Sequence, residues 1–304
     1  MSLPRVKYAW RNSARLWLCV TFADKEDEGP SRSGTTVVTV PISTTRRPVL
    51  RMAVDAEPAR KPDDLAVEAP LVLALEGAAI ATLMRTPGSD LDLAAGWLVV
   101  ESGVRRAEDI STLRACREDD TDRVHINLAA GVRPPRPRAF VTSAACGVCS
   151  ADVVDLTPLA EGPTHRPGWT VARDVLAALP DAMRQRQRTF ERTGSVHAAG
   201  LADDRGGLLI VREDVGRHNA VDKVVGRALF DALLPARDRL LVVSGRVSFE
   251  IVQKAVAARM AGIVAVSAPS SLAVDLARQH GLLLAGMVRG GRLNVYAGEE
   301  LIAT

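Results

Sequence analysis

The sequence predicts an α/β fold in which helices cover both faces of a sheet. In the last third of the chain, continuously apolar runs occur at residues 208–211, 240–243, 263–266 and 282–288. Such runs indicate strands that are buried on both faces. Helical patterns alternate with them at residues 220–234, 249–261 and 271–279, as expected of crossover connections. The first of these helices has one apolar stripe, with Asn219 placed to cap it and Asp222 at its third position.

Residues 1–60 are predicted to form a mostly disordered extension outside this fold. They lack a sustained periodicity and contain a charge cluster at 24–28 and a segment rich in Ser, Gly and Thr. Segments of this composition bury too little apolar surface to offset the entropy of ordering. The folded domain is therefore expected over residues 61–304.

The folded domain is expected to begin with a β-hairpin region. The residue pattern predicts strands at 66–75 and 79–84, joined by a turn at Glu76 and Gly77. Two further strands are expected at about 113–117 and 124–128, before a cysteine-containing loop. These elements precede the alternating strands and helices of the last third.

Two helices are predicted before the last third of the chain. Ser89 is placed to cap the first helix, and Asp92 three residues later completes a capping-box arrangement. The apolar face of that helix is expected to contain Leu93, Trp97 and Val100. A second, basic helix is predicted from about residue 171 to residue 190, and its solvated face should present Arg184, Arg186 and Arg188.

The composition indicates a soluble globular protein. The formal net charge is +3, and because residues 1–60 alone have a surplus of four positive charges, the remaining chain is nearly neutral. A nucleic-acid partner is therefore not expected. The chain has no apolar run of bilayer-spanning length, no signal-peptide pattern at its amino end, and four cysteines without a disulfide-like framework. We therefore expect a cytoplasmic location.

Cys146 and Cys149 form a Cys-Gly-Val-Cys motif among small residues, which indicates reactive sulfur. Half of a zinc site and a redox dithiol are the other common meanings of this spacing. Zinc is less favoured because Cys19 and Cys116 are isolated, and a thioredoxin-like dithiol is less favoured because the motif follows a connector rich in Pro and Arg. A sulfur or thiol carrier is the remaining interpretation.

Unusual polar residues follow the predicted strands of the last third. In open α/β sheets, ligands bind beyond the carboxyl ends of strands, where helix N-termini offer free N–H groups. Arginine side chains and serine hydroxyls suit phosphate oxygens, and glycine lets the backbone approach a ligand closely. The candidate binding residues in these loops include Arg217, His218, Ser244, Arg246, Arg289, Gly290, Gly291 and Arg292.

Several longer motifs resemble those of the FdhD/NarQ family. They occur in order from about residue 65 to the end of the chain: MRTPG at 84–88, CGVC at 146–149, TGSVHAA at 193–199, DVGRHNAVDK at 214–223, SGRVSFEIVQK at 244–254, SAPSSLAV at 267–274 and NVY at 294–296. The resemblance implies a cytidine-deaminase-like α/β fold, usually dimeric, in a cytoplasmic sulfur carrier.

The resemblance also implies a reaction and its site. The carrier takes sulfur from a cysteine desulfurase as a persulfide on Cys146, with Cys149 as partner, and transfers it to the molybdenum cofactor, Mo-bis(molybdopterin guanine dinucleotide), of a formate dehydrogenase. The resemblance assigns cofactor binding to Met287, Val288, Arg289, Gly290, Gly291 and Arg292. Neither a membrane nor a tightly bound metal of the protein's own is expected.

Three other functions compete with sulfur transfer. A nucleotide deaminase requires His-x-Glu and Pro-Cys-x-x-Cys contexts, but the sequence has no His-x-Glu, and Ala145 precedes the first cysteine. A Cys-x-x-Cys dithiol oxidoreductase and a non-enzymatic molybdenum cofactor chaperone stay open. The roles of His197 and His218 also stay open at this point.

Overall fold

Two six-stranded sheets and a layer of helices between them form the body of the protein. A computed structural model describes residues 19–20, 42–118, 120–136, 141–142 and 162–303. The strands up to residue 142 are β1 (Cys19–Val20), β2 (Thr44–Ala53), β3 (Ala56–Ala66), β4 (Ala69–Leu75), β5 (Ala78–Arg85), β6 (Ile110–Glu118), β7 (Thr121–Leu128) and β8 (Val141–Thr142). The later strands are β9 (Val171–Ala172), β10 (His197–Asp203), β11 (Leu208–Asp214), β12 (Arg239–Val243), β13 (Gly262–Ala265), β14 (Leu283–Arg289), β15 (Arg292–Ala297) and β16 (Ile302–Ala303).

The helices are α1 (Asp90–Glu101), α2 (Arg173–Arg184), α3 (Arg188–Thr193), α4 (Arg217–Phe230), α5 (Phe249–Ala257) and α6 (Ser271–Gln279). None of the helices in the described ranges is both long enough and apolar enough to cross a bilayer.

The first sheet has the strand order β1-β6-β7-β4-β5-β8. Strands β4 and β5 form the predicted hairpin, and its turn at Glu76 and Gly77 has positive φ at both residues (49° and 86°). A two-residue turn of this kind matches the twist of the strands that it joins. Strands β6 and β7 form a second antiparallel hairpin and confirm the two strands expected there.

The second sheet has the order β11-β10-β12-β13-β14-β15. Strand β10 is antiparallel to both β11 and β12, while β12, β13 and β14 are parallel to one another. Strands β11 to β14 therefore all point the same way, and their carboxyl ends meet at one edge of the sheet. The predicted strands and helices of the last third are confirmed, with small shifts at their ends.

Helices cover both faces of the second sheet, as predicted. Leu241 and Val243 of β12 belong to the core that contains α1, α4 and α5. Leu240 and Val242 alternate with them and pack on the opposite face, in a smaller core with α2. Because successive strand residues point to opposite faces, a strand between two helical layers must be apolar throughout. The α/β class is confirmed.

Helix α1 lies between the two sheets, and the prediction of a single apolar face for it is incomplete. It is buried on nearly all sides instead of along one stripe, because α4 and the first sheet both pack against it. The predicted capping box is wrong: Ser89 makes no side-chain cap hydrogen bond, and Asp92 accepts hydrogen bonds from Arg212 at 2.8 and 2.9 Å. Asp92 therefore forms an ion pair with Arg212 instead of capping the helix.

Two other helix predictions need correction. Helix α4 begins at Arg217 with Gly216 as its cap, so Asn219 lies inside the helix, where its amide donates to Met84 O and Asp214 Oδ1.

The basic helix predicted at 171–190 is two helices, α2 and α3. The chain turns between them, and the first N–H groups of α3 donate to the Glu213 carboxylate at 2.8 Å. Arg184, Arg186 and Arg188 are all exposed, as predicted, and Arg186, which lies between the two helices, donates to the backbone carbonyl of Leu208.

The predicted disorder over residues 1–60 is wrong for residues 44–60. Strands β2 and β3 pair in an antiparallel hairpin whose register places Arg46 opposite Asp64. Asp64 accepts hydrogen bonds at 3.2 Å from both Arg46 and Arg192 of α3. No residue of β2 or β3 is buried. The rest of that extension, apart from β1 and residues 42–43, lies outside the described residues.

Candidate functional site

The loops that follow β11, β12, β13 and β14 lie side by side at one edge of the second sheet. Val247 N in the loop after β12 donates to Ala268 O in the loop after β13 at 3.3 Å, and Met287 N of β14 donates to Ser267 O in the loop after β13 at 3.2 Å. The predicted binding residues of these loops therefore share an edge, because their strands run in one direction.

Four of the predicted residues form a basic cluster together with His197. Arg217 and His218 lie in the first turn of α4, Ser244 and Arg246 follow β12, and His197 begins β10 beside them. A Cβ added at Gly245 would lie 3.3 Å from His197 Nδ1 and 3.8 Å from Arg217 Cδ. Gly245 therefore permits the close approach of the loop to both side chains.

The electrostatics of His197 indicate a positive potential in this cluster. Burial lowers the pKa of His197, and the positive charges of Arg217, His218 and Arg246 lower it further, while Asp214 opposes them. An imidazole in this position resists protonation. The same potential favours an anionic ligand.

Arg217 has an unused donor in the cluster. Its Nε is buried and has no hydrogen-bond partner among the described residues. Since most buried polar atoms in folded proteins are hydrogen-bonded, such an atom beside a positive potential is suited to meet an anion. The N-terminus of α4 adds free backbone N–H groups at the same place.

His218 connects two of the loops. Its Nε2 lies 2.9 Å from Glu250 Oε2 and 3.2 Å from Ser248 Oγ, both at the beginning of α5. Glu250 holds the imidazole in one orientation. Sequence reasoning did not assign Glu250 to the site, because no spacing rule connects it to His218.

A buried network fixes the loop that contains Arg217 and His218. Asp214 Oδ2 lies 2.7 Å from Lys223 Nζ, and Asp214 Oδ1 accepts hydrogen bonds from Gly216 N and Asn219 Nδ2. Lys223 also donates to Thr86 O at 2.8 Å. These contacts tie the end of β11 to α4 and to the segment after β5.

A second buried ion pair joins α4 to α5. Lys254 Nζ donates to Asp222 Oδ1 at 2.7 Å. Complete burial raises the pKa of Asp222, and the charge of Lys254 acts in the opposite direction. Neither ion pair was predicted from the sequence. The signal that could have found them is the pair of charges at 222 and 223, which interrupts an apolar stripe of valines.

The segment from Met287 to Arg292 contains the end of β14, the two-residue turn at Gly290 and Gly291, and the first residue of β15. Met287, Gly290 and Gly291 all have positive φ (55°, 57° and 75°), and Arg289 pairs with Arg292 across the turn. The two arginines and two glycines are exposed, whereas Val288 is buried in the core beneath α2. In the strand order of the sheet, β14 lies two strands from β12.

The predicted sulfur residues cannot be located. Cys146 and Cys149 lie outside the described residues, and their roles stay predictions. Cys116 is described: burial raises its pKa to about 11, and its hydrogen bond to Glu118 adds to the effect. A thiol with that pKa is protonated at neutral pH and is a poor nucleophile.

Comparisons with known proteins agree with the motifs. The model of the FdhD/NarQ family matches residues 66–303. A Streptomyces coelicolor protein named "Sulfur carrier protein FdhD" is 46% identical over 275 residues, covering 86% of this chain and 96% of that protein. A Nocardia farcinica protein of the same name is 47% identical over 261 residues, covering 84% and 93%.

A solved structure shares the fold. The crystal structure of a candidate formate dehydrogenase accessory protein from Desulfotalea psychrophila has a TM-score of 0.69, covers 86% of this chain and 100% of its own, and is 22% identical. At that identity the likeness supports the architecture alone.

Proposed function

The chain belongs to the FdhD/NarQ family, and from this premise we propose that it is a sulfur carrier that serves the maturation of a formate dehydrogenase. The observation that carries the proposal is its 46% identity, over 86% of the chain, with a protein named as a sulfur carrier. The basic cluster supports it because a carrier that delivers sulfur to an anionic cofactor needs a site for that anion.

Cys146 is the sulfur-accepting residue in this proposal. Its thiolate attacks the outer sulfur of a persulfide on a cysteine desulfurase. A new S–S bond forms at Cys146, the donor's S–S bond breaks, and the donor cysteine leaves as a thiolate. The carrier then holds one additional sulfur as Cys146-S-SH.

Cys149 completes the transfer. Its thiolate attacks the inner sulfur of the Cys146 persulfide, so that a Cys146–Cys149 disulfide forms and the outer sulfur leaves with the electron pair as sulfide to the acceptor. The two cysteines are oxidised together and the transferred sulfur is reduced. A thiol reductant then restores both cysteines for the next cycle.

The acceptor substrate is the Mo-bis(molybdopterin guanine dinucleotide) cofactor. In this proposal Arg217, Arg246 and the N-terminus of α4 bind its phosphates, with Ser244 and His218 as further contacts. The exposed turn of Arg289, Gly290, Gly291 and Arg292 lies at the same edge and provides a second contact. The transfer requires no tightly bound metal of the protein's own.

The proposal extends to the setting of the reaction. The donor is a cysteine desulfurase, the recipient of the loaded cofactor is the formate dehydrogenase catalytic subunit, and the carrier acts in the cytoplasm as a homodimer. These assignments rest on the motifs shared with the family.

One experiment tests the sulfur step directly. The purified chain is incubated with a cysteine desulfurase and cysteine, and sulfane sulfur is mapped by peptide mass spectrometry. We expect the label on Cys146 and its loss in Cys146→Ala, with guanosine diphosphate binding intact. Cys116→Ala is the matched control and should retain the label. Absence of sulfane sulfur from Cys146 would reject the proposal. A Cys146–Cys149 disulfide that forms without prior loading of sulfane sulfur would favour an oxidoreductase, and normal maturation with Cys146→Ala would favour a chaperone.

A further inference from the structure

A separate group of possible metal ligands lies on the first sheet, far from the strand-end loops in sequence. Cys116 and Glu118 are in β6, and His125 is in β7. One ligand atom from each side chain lies within 4.8 Å of the other two. The sulfur-carrier proposal gives these residues no role.

The sheet itself places the three side chains together. Cys116 and Glu118 are two residues apart on one strand and so point to the same face. His125 pairs with Arg114, which is two residues before Cys116, so its side chain points to that face as well. Leu113 and Val124 point to the opposite face, into the core. The cluster is therefore held by two hydrogen-bonded strands on the face turned away from the helices.

The distance between the thiol and the carboxylate suits a small, thiophilic divalent cation. Cys116 Sγ lies 3.4 Å from Glu118 Oε1, and His125 Nε2 lies 2.7 Å from the same oxygen. Tetrahedral Zn²⁺ with bonds of about 2.0–2.3 Å requires its ligands to be about 3.3–3.8 Å apart. The thiol–carboxylate distance already fits, and the imidazole needs to move by about 1 Å or less from the carboxylate, within the reach of ordinary side-chain adjustment.

A neighbouring side chain supports the carboxylate. Arg123 Nε lies 3.2 Å from Glu118 Oε2, the oxygen that does not contact the other two residues. Partners of this kind orient a metal-binding carboxylate and leave its other oxygen directed at the ion. The positive charge of Arg123 also offsets part of the negative charge, so we expect weaker binding than in a site of several thiolates.

We propose that Cys116, Glu118 and His125 form a Zn²⁺ site that ties β6 to β7, with a water or other ligand in the fourth position. On binding, the Sγ–H bond of Cys116 breaks, a Zn–S bond forms and the proton goes to solvent, so no oxidant or reductant is required. A mixture of sulfur, nitrogen and oxygen ligands suits zinc better than calcium or magnesium. The site is independent of sulfur transfer and of its two cysteines.

Cobalt binding to a single-thiol form of the full chain tests this inference. Cys19→Ser, Cys146→Ser and Cys149→Ser are combined so that Cys116 is the one remaining cysteine. The chelator-treated protein is titrated with Co²⁺ without oxygen. We expect one equivalent to bind with a thiolate-to-cobalt charge-transfer band, and Zn²⁺ to displace it.

Further substitutions in that background identify the ligands. Cys116→Ser should abolish the band, and His125→Ala and Glu118→Gln should each weaken binding at least about tenfold, the smaller loss known for metal-site partners. His165→Ala, which removes a histidine outside the cluster, should bind as the parent does. Circular dichroism checks that every variant is folded. Absence of the band, or equal affinity after His125→Ala, would overturn the proposal.

Discussion

Lys223 Nζ lies 2.7 Å from Asp214 Oδ2, and the two side chains are only 2% and 0% exposed. This ion pair connects the last residue of β11 to the middle of α4. Between them in sequence lie Arg217 and His218, the part of the basic cluster that begins α4. The orientation of the proposed anion site thus depends on a buried pair that does not itself face the ligand.

Asp214→Asn should destabilise the fold strongly, because it leaves Lys223 buried without its counter-charge. We expect the free energy of unfolding to fall by about 3–5 kcal/mol, measured by denaturant titration. Asp63→Asn breaks the exposed Arg51–Asp63 pair and is the control, with an expected loss of at most about 1 kcal/mol. Similar losses in the two variants would mean that the buried pair does not organise the loop.

Gly226→Ala should disrupt the crossing of α1 and α4. A Cβ at this position would lie 1.8 Å from Asp92 O, a backbone atom that cannot move without shifting α1. We expect a loss of about 3 kcal/mol or more in unfolding free energy. Ala178→Gly, at an exposed position of α2, should cost about 1 kcal/mol from helix propensity alone. If Gly226→Ala lowers the free energy of unfolding no more than Ala178→Gly does, α1 and α4 do not pack closely at Gly226.

Arg217→Gln should weaken the binding of an anionic nucleotide. Loss of a hydrogen bond to a charged group costs about 1.5–3 kcal/mol, which corresponds to roughly 10- to 100-fold in Kd. Guanosine diphosphate is the probe, and isothermal titration calorimetry gives the Kd. Arg205→Gln is the matched control, because Arg205 lies in the β10–β11 turn at the opposite edge of the sheet. Equal affinities of the two variants would remove the basic cluster from the binding site.

Acid should destabilise the protein partly through His197. Its pKa in the folded protein is lowered by burial and by Arg217, whereas in the unfolded chain it is about 6.5. Above about pH 6.5 both states are neutral and His197 adds no pH dependence. As the pH falls through that value toward the folded pKa, the unfolded chain binds the proton first, and the free energy of unfolding falls.

His197→Asn should therefore flatten the fall in unfolding free energy below about pH 6.5. Burial lowers the pKa of His280 as well, so His280→Asn is introduced into both proteins that are compared. The remaining difference in slope then reports His197. An unchanged slope would show that His197 titrates alike in the folded and unfolded states.

Much of the second sheet was predictable because its strands are buried on both faces and its helices are amphipathic. Apolar runs such as 240–243 and the stripe of α4 report burial directly. The errors lie where a side chain has a distant partner. Ser89 and Asp92 have the sequence of a capping box, yet Asp92 binds Arg212, 120 residues away. Rules based on neighbouring residues cannot predict a hydrogen-bond partner that only folding brings close.

The amino-acid sequence was sufficient to predict the α/β class, the family motifs, the strand-end location of Arg217, His218, Ser244 and Arg246, and Cys146 and Cys149 as the expected sulfur residues. Periodicity and motif spacing are local properties, so the sequence alone contains them. Three sets of contacts became visible in the folded structure: His197 joins those residues, Asp214 and Lys223 are paired in the interior, and Cys116, Glu118 and His125 meet on one face. These contacts arise from strand register and helix packing, which depend on the burial of the whole chain.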